Sequence, residues 1–424
     1  MATVPTPPPK DRLELLYRLS QTFNSSLDLA EVLNRVMDEV ISAMQAERGF
    51  VMLRDEQGNL AFMAARGIDH STINEPRFQV SLSVVESVAR EGKPMMISDA
   101  QVDPRFSMRQ SVTILGLRSI LCVPLIFQER NLGIIFVDNR IQAGIFSQSD
   151  LELLTAIAAN AAIAIENARL YQLAVEKGRL ERELQMARQV QTSMMPSETP
   201  QVTGWEFAAL WQPARQVAGD YYDYIPFEDG QLGLVIADVS DKGMPAALFM
   251  ATTRSIIRAS LSRAARVEEG IAQANRLLCA ESANGMFVTL FCARLNPATG
   301  EITYVNAGHN PPIFYQNRSQ AGMGQILSLG RTGMALGVME EAVFKEQKLK
   351  LKAGDYVLLY TDGVTDALNP REEAYGVDRL QRILVENRSA PATEMVTTLE
   401  DSIRTFMDLT APFDDVTVMM VKRL

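Results

Sequence analysis

Histidine and cysteine are scarce: the 424 residues contain 2 histidines and 3 cysteines. Cys122, Cys279 and Cys292 are too few and too scattered for a disulfide framework, and they lack metal-ligand spacing. Each lies in an apolar setting, which suits a buried, reduced thiol and a cytoplasmic protein. Clustered cations are missing too. With 41 Lys+Arg against 51 Asp+Glu the net charge is −10 and there is no basic run. Phosphate-backbone affinity comes from clustered cations, so nucleic-acid binding is not expected. No uninterrupted apolar run reaches the ~18 residues of a membrane span, so no membrane partner is expected either. The first residues, MATVPTPPPK, lack the apolar segment of a signal peptide and read as a disordered, proline-rich tail over residues 1–11.

What is present is ordinary for globular protein: 47% hydrophobic and 22% charged residues, in a length that favours two or three domains. Residues 12–47 carry apolar positions at helical spacing, with Leu13, Leu16 and Leu19 in one segment and Leu33, Val36, Met37, Val40 and Ile41 in the next. In SSLDLAEVL a Ser or Asp can cap the second segment, with Glu31 in its first turn. The period then changes. RGFVMLRDEQGNLAFMAARG reads as two strands about a turn at Glu56–Gly58. SVVESVAREGKPMMISD reads as a short helix ended by Gly92 and then a strand, and SILCVPLIFQERNLGIIFVDN as a hairpin turning near Glu129–Asn131. FSQSDLELLTAIAANAAIAIENARLY is a long helix that Ser147 or Ser149 can cap. Helices at both ends with hairpins between predict an α+β domain over residues 12–170, built on a mostly antiparallel sheet.

The helical pattern continues into a linker over residues 171–204. Leu173, Leu180, Ala187 and Met194 recur every seventh residue, with Leu184 and Val190 beside them and charged residues between. This is a short heptad seam, broken at Gly178. It fits either a helix packed on its own domain or the coiled-coil stalk of a parallel homodimer. MMPSETPQVTGW ends the helix at Pro196 and marks a domain boundary.

Residues 205–424 read as α/β layers, sheets in the middle and helices outside. Strands lie at WEFAALWQPA, GDYYDYIPF and QLGLVIADVS, and helices at MPAALFMATTRSIIRASL and VEEGIAQANRLLCAES. MFVTLFCARLNPATGEITYVNAG is a hairpin, and DYVLLYTDG is a buried strand by its continuous apolar run. Helices follow near 376–386 and 392–409, and DVTVMMV is the last strand.

Aspartates fall at the mouths of these strands. Asp238 ends LGLVIAD, Asp362 ends YVLLYTD, Asp414 and Asp415 open DDVTVMMV, and Asp220 edges an aromatic strand, with Gly219, Gly243 and Gly363 nearby. If the strands are neighbours the carboxylates converge, and converging carboxylates raise one another's pKa unless a cation joins them. All-oxygen ligands select Mg²⁺, Mn²⁺ or Ca²⁺ over zinc. Two such ions bridged by aspartate would activate a water and clamp a phosphoryl oxygen, a route to phosphoester hydrolysis without a protein nucleophile. Spacing alone leaves a second reading open, a set of turn and cap aspartates.

ELQMARQVQTSMMP, PARQVAGDYYD, ADVSDKGMPAALFM, FVTLFCARLNPATGEITYVNAGHNPP, GDYVLLYTDGVTDA and DDVTVMMV occur in this order in residues 180–424. This part of the chain resembles PPM-type metal-dependent protein phosphatases of the bacterial SpoIIE branch. The resemblance implies a β-sandwich flanked by helices and a phosphoserine/phosphothreonine protein phosphatase using two Mn²⁺ or Mg²⁺ ions. It implies that Asp238 bridges the two metals, that the Val239 carbonyl completes one site, and that Asp362 and Asp414 bind metal. Asp220 would be a nearby ligand or hold metal-bound water, with Asp223 and Asp415 as secondary candidates. Gly363 would serve a tight turn after Asp362.

Two features depart from the family pattern. Ala218 stands where the family has a glycine, which matters if that position needs positive φ. DVSDKG lacks the histidine that the wider PPM family places soon after the bridging aspartate as general acid, so leaving-group protonation would fall to water. His309, in AGHNPP, is expected to make a structural hydrogen bond at the turn before Pro311 rather than to act in catalysis.

Residues 12–170 resemble a GAF domain through their helix–sheet–helix layout and GLRSILCVPLIFQERNLGIIFVDN. That resemblance implies an unidentified small ligand or a dimer contact. NRIQAGIFSQSDL keeps Asn139, Phe146 and Asp150 of the cyclic-nucleotide signature but has Arg140 and Leu151 for its lysine and acid, so cyclic-nucleotide binding is not expected. Cys122, within a strand, does not match a bilin-attachment cysteine. Together the resemblances imply a sensor-regulated phosphatase whose substrate is a phosphorylated anti-sigma-factor antagonist of STAS type. The alternative is a ligand-binding GAF signalling scaffold with an inactive phosphatase-like domain. A metal-dependent nucleotide cyclase lacks any recognisable base-binding or triphosphate signature.

Overall fold

The computed structural model describes residues 14–424 apart from residues 15–16, 20, 22–27, 56, 75–79, 106–114, 282–284 and 318–323. The expected tail over residues 1–11, together with Leu13, Leu16 and Glu56, lies outside the described residues. The chain divides into two compact units between Gly178 and Arg179.

In the first unit, α1 (Leu29–Met44) starts at Asp28, whose carboxylate accepts from the Ala30 and Glu31 amides. The cap satisfies two amides that the first turn leaves without helical partners. The strands β1 (Arg48–Arg54), β2 (Leu60–Gly67), β3 (Met95–Ile97), β4 (Ser119–Phe127) and β5 (Arg130–Asn139) form one antiparallel sheet in the order β2-β1-β5-β4-β3. The helix α2 (Leu82–Glu91) stops at Gly92, which takes φ 64°. Alternate residues of β4 serve two cores. Leu121, Val123 and Leu125 pack with Val36 and Met37 of α1, while Ile120 and Cys122 pack with Val84 and Val88 of α2. A sheet covered on both faces reads as continuous apolar runs, which is what SILCVPLIF is.

The long helix α3 spans Gln148–Met194. Ser147 and Asp150 exchange hydrogen bonds at its start, the Ser147 amide donating to Asp150 (2.8 Å) and the Asp150 amide to Ser147 Oγ (3.3 Å). The helix continues through Gly178, the residue at which the heptad seam breaks. One glycine costs a helix about 1 kcal/mol, too little to interrupt one this long. By length and composition alone α3 is apolar enough to cross a membrane. Its Leu154, Ile157, Ala161 and Ala162 are core residues of the first unit.

The second unit contains β6 (Trp205–Gln212), β7 (Tyr221–Pro226), β8 (Leu232–Val239), α4 (Met244–Arg263), α5 (Val267–Glu281), β9 (Val288–Asn296), β10 (Glu301–Ala307) and β11 (Ile313–Gln316). It continues with β12 (Gln325–Ser328), β13 (Gln347–Lys350), β14 (Tyr356–Tyr360), α6 (Asp362–Thr365), α7 (Gly376–Glu386), α8 (Ala392–Met407) and β15 (Val416–Arg423). Two five-stranded antiparallel sheets result, β13-β10-β9-β8-β7 and β12-β11-β14-β15-β6.

Strand alternation builds three cores from these sheets. Leu234 and Ile236 of β8 meet Met419 and Val421 of β15 between the sheets. Val235 and Ala237 turn outward onto Met250 and Ile257 of α4 and Ile271 of α5. Val418 and Met420 turn outward onto Leu399 and Ile403 of α8. The unit is a β-sandwich with helices on both outer faces. Residues 179–204, expected as linker, belong to this unit. Gln191 and Met195 are buried in it, and Met194, the last heptad position, packs on its core instead of continuing a seam.

Candidate active site

The four expected acids come from four different strand ends, and the sandwich brings them to one rim. Asp220 directly precedes β7, Asp238 is the penultimate residue of β8, Asp362 opens α6 just past β14, and Asp414 leads into β15. Asp220 is 2% exposed. Its Oδ2 accepts from Thr417 Oγ1 (2.6 Å), in β15, and from Thr361 Oγ1 (2.8 Å), just past β14. The Trp211 indole donates to its carbonyl (3.0 Å), and its carboxyl hydrogen-bonds to Asp238.

Charge repulsion is evident throughout the group. Burial, then the Asp238 and Asp415 charges, push the Asp220 pKa well above the usual carboxylate range despite the two threonine donors. Burial, then Asp362 and Asp414, push Asp238 up to about 7. Burial, then Asp414 and Asp366, raise Asp362, while Lys242 acts to lower it. Such a group retains protons unless cations replace them.

Backbone approach around the acids is close. A Cβ on Gly219 would lie 3.1 Å from the Val239 carbonyl and 3.4 Å from Ala246 Cβ, so glycine lets the Asp220 loop approach the proposed Val239 ligand. Gly363 was expected for a tight turn; the reason is different. Its φ is not positive, but a Cβ there would lie 1.9 Å from the Asp415 carbonyl. Ala218 does not adopt positive φ either, so alanine meets no backbone strain in place of the family glycine.

The two secondary candidates separate. Asp415 is a brace for the loop before Asp220: its oxygens accept from the Ala214 and Gly219 amides, both at 2.8 Å. Asp223 lies away from the four acids, on β7 opposite α4, paired with Arg254 (3.4 Å) and Arg258 (3.2 Å). His309 is fully buried, with Nδ1 2.8 Å from Thr289 Oγ1 and its amide donating to Asn306 Oδ1 (2.9 Å). Burial pushes its pKa down to about 4, which keeps it neutral. Its ring therefore takes a structural hydrogen bond, and the backbone bond to Asn306 fixes the turn.

The donor set is all oxygen, and Lys242 already places a cation among it, with Nζ 2.8 Å from Asp414 Oδ2. These residues fit hard divalent ions. Among the described residues, no three acidic, histidine or cysteine side chains already close a metal cage. Thr361, Thr417, Gln191 and Lys242 escaped sequence reasoning. Lys242 stands inside DVSDKG, where a lone cation directly before the glycine that opens a helix was the available signal.

Residues 228–424 match the family model for stage II sporulation protein E (SpoIIE), and residues 26–166 match that for the GAF domain. The chain is 33% identical over 268 residues to protein IcfG of Synechocystis sp., an alignment covering 57% of this chain and 41% of that protein. It is 29% identical over 243 residues to the phosphoserine phosphatase RsbU of Bacillus subtilis, covering 57% of this chain and 70% of that one. The chain thus spans less than half the length of the first of these relatives. The SiaA-PP2C domain of Pseudomonas aeruginosa shares the fold, with TM-score 0.51, 17% identity, and coverage of 59% of this chain and 99% of that domain. The chain thus matches the GAF domain family over residues 26–166 and the SpoIIE family over residues 228–424.

Proposed function

We propose that this chain is a sensor-regulated, metal-dependent protein phosphatase that hydrolyses phosphoserine or phosphothreonine. The observation that carries the reading is the convergence of Asp220, Asp238, Asp362 and Asp414 from both sheets onto one rim, where burial and acidic neighbours raise the pKa values of Asp220, Asp238 and Asp362. Asp238, Asp362, Asp414, Asp220 and the Val239 carbonyl would hold two Mn²⁺ or Mg²⁺ ions. When bound, such ions supply Lewis-acid activation of water and neutralise charge on the phosphoryl group. Asp220, held by Thr361 and Thr417, keeps Asp238 oriented, and Asp415 holds the Ala214–Gly219 backbone in place. His309, buried and neutral, stays outside the reaction.

The substrate assigned is a phosphorylated anti-sigma-factor antagonist of STAS type. The relative named a phosphoserine phosphatase supports the reaction class. The GAF unit would take a small ligand. Leu173 and Leu180, exposed on α3, support a homodimer through that helix. A cytoplasmic location suits the free thiols Cys122, Cys279 and Cys292. The inactive-scaffold alternative gives no reason for four mutually repelling acids at one rim.

Release of phosphate from a phosphoserine peptide or p-nitrophenyl phosphate, with and without Mn²⁺, tests the reading in wild type and Asp238→Asn. Mn²⁺-dependent release that the variant loses is expected. Equal release from both, or none from wild type, overturns it.

A further inference from the structure

Lys242 stands at the open side of the acid group. Its side chain and that of Asp414 are each 31% exposed, whereas Asp220 is almost wholly buried. The ammonium is held from three directions: Asp414 Oδ2 at 2.8 Å, the Phe413 carbonyl at 2.8 Å, and the Phe413 ring, 3.7 Å from Nζ to its centroid. Its charge also acts on Asp362. Phe413 is itself largely exposed, so lysine and ring together form the edge of the entrance.

The loop that presents Lys242 is costly to build. Asp241 takes φ 70° and Gly243 φ 81°, flanking Lys242 on both sides. A non-glycine residue in this region is uncommon and persists only where its surroundings hold it. Here they do: the Ser240 amide donates to the Phe287 carbonyl (2.9 Å) and the Phe287 amide donates to Ser240 Oγ (2.9 Å). The loop is clamped to the start of β9 and directs its lysine toward Asp414.

A phosphate monoester brings up to two negative charges to a rim made of carboxylates. Cations held by those carboxylates offset their charge. The outward phosphoryl oxygens still need a donor on the solvent side. An ammonium is a compact charge with three donors on a flexible stem, suited to such oxygens. We infer that Lys242 is the residue that binds the substrate's phosphoryl oxygens at the entrance, exchanging Asp414 for phosphate once a divalent ion takes Asp414. This rests on the phosphatase reading and adds to it a substrate-binding residue, steadied by the Phe413 ring through a cation–π contact.

The test uses the full chain, loaded with Mg²⁺ or Mn²⁺, as wild type, Lys242→Gln and Lys242→Arg. Calorimetry measures inorganic phosphate binding to the loaded protein and divalent-ion binding to the unloaded one. Kinetics give KM and kcat for a phosphoserine peptide. A hydrogen bond to a charged group predicts that Lys242→Gln weakens phosphate binding and raises KM by roughly tenfold or more. Arginine should restore part of the loss. Divalent-ion affinity should hold or tighten in Lys242→Gln, since Asp414 loses a competing cation. Phosphate affinity equal to wild type in Lys242→Gln overturns the inference, as does a loss explained wholly by weaker metal binding. Absent turnover in wild type would count against the phosphatase reading instead, because phosphate binding is read without turnover.

Discussion

Gln191 and Ala218 hold each other by two hydrogen bonds. Gln191 Nε2 donates to the Ala218 carbonyl and the Ala218 amide donates to Gln191 Oε1, both at 3.0 Å. The same Nε2 lies 3.3 Å from the Ala247 carbonyl in the first turn of α4. The last turn of α3 is thereby joined to the loop before Asp220 and to the helix that follows Asp238. Gln191→Ala leaves the Ala218 amide and carbonyl buried without these partners, a loss of about 2 kcal/mol. Urea unfolding should show that loss, and Mn²⁺ calorimetry a severalfold weaker affinity. A destabilised variant with wild-type Mn²⁺ affinity would mean that this joint supports the fold and not the site.

Divalent-ion affinity should depend on pH through Asp238 and Asp220. Asp238 titrates at about 7, and Asp220 is also raised by burial and by its acidic neighbours. Below that range the ion must displace protons to reach the carboxylates, so affinity falls as pH falls. For one displaced proton the apparent affinity drops about tenfold per pH unit below 7. Calorimetry at pH 6 and 8 in buffers of different ionisation enthalpy should show weaker binding and proton release at pH 6. A flat profile with no released proton would show that the acids are already ionised in the free protein.

The strand-end aspartates were legible because burial leaves a clear mark in sequence: LGLVIAD and YVLLYTD are apolar until the residue that must face the rim. Their convergence was not legible. It depends on β7 and β8 lying in one sheet and β14 and β15 in the other, and the joining contacts are as far apart in sequence as Asp220 and Thr417. Asp223 shows the limit of spacing arguments. It sits three residues from Asp220 in GDYYD, yet after a one-residue lead-in the strand alternation turns it onto α4. Gly178 interrupts the heptad seam but not the helix, since local propensity is weak against a helix anchored by packing at both ends.

Asp223→Asn should separate fold from metal binding. Asp223 is 1% exposed, and its ion-pair partners Arg254 and Arg258 come from α4. Removing its charge leaves Arg254, itself largely buried, without a counter-charge. A loss of about 2 kcal/mol in stability is expected, with Mn²⁺ affinity within about threefold of wild type at a temperature where the variant is folded. Loss of Mn²⁺ binding by the folded variant would return Asp223 to the ligand set.

His309 should make the protein acid-sensitive at a pH where its carboxylates still ionise in the unfolded chain. Its folded-state pKa is lowered from 6.5 to about 4, chiefly by burial. For a group depressed in this way, stability is fully present above the unfolded pKa. It is lost as pH falls from about 6.5 toward 4, because the unfolded state takes up the proton first. The full effect of such a shift is roughly 3 kcal/mol. Asp238 and Asp220, raised in the folded state, act with the opposite sign over part of that window. The wild-type curve alone is therefore a poor measure, and the comparison must be with His309→Asn, whose amide can still meet Thr289 Oγ1. Urea unfolding at pH 7.5 and 4.5 should show a stability loss on acidification that is about 2 kcal/mol smaller in the variant than in wild type. Parallel losses would mean that His309 takes up its proton in the folded protein as readily as in the unfolded chain, and that its ring reaches solvent or an acid when charged.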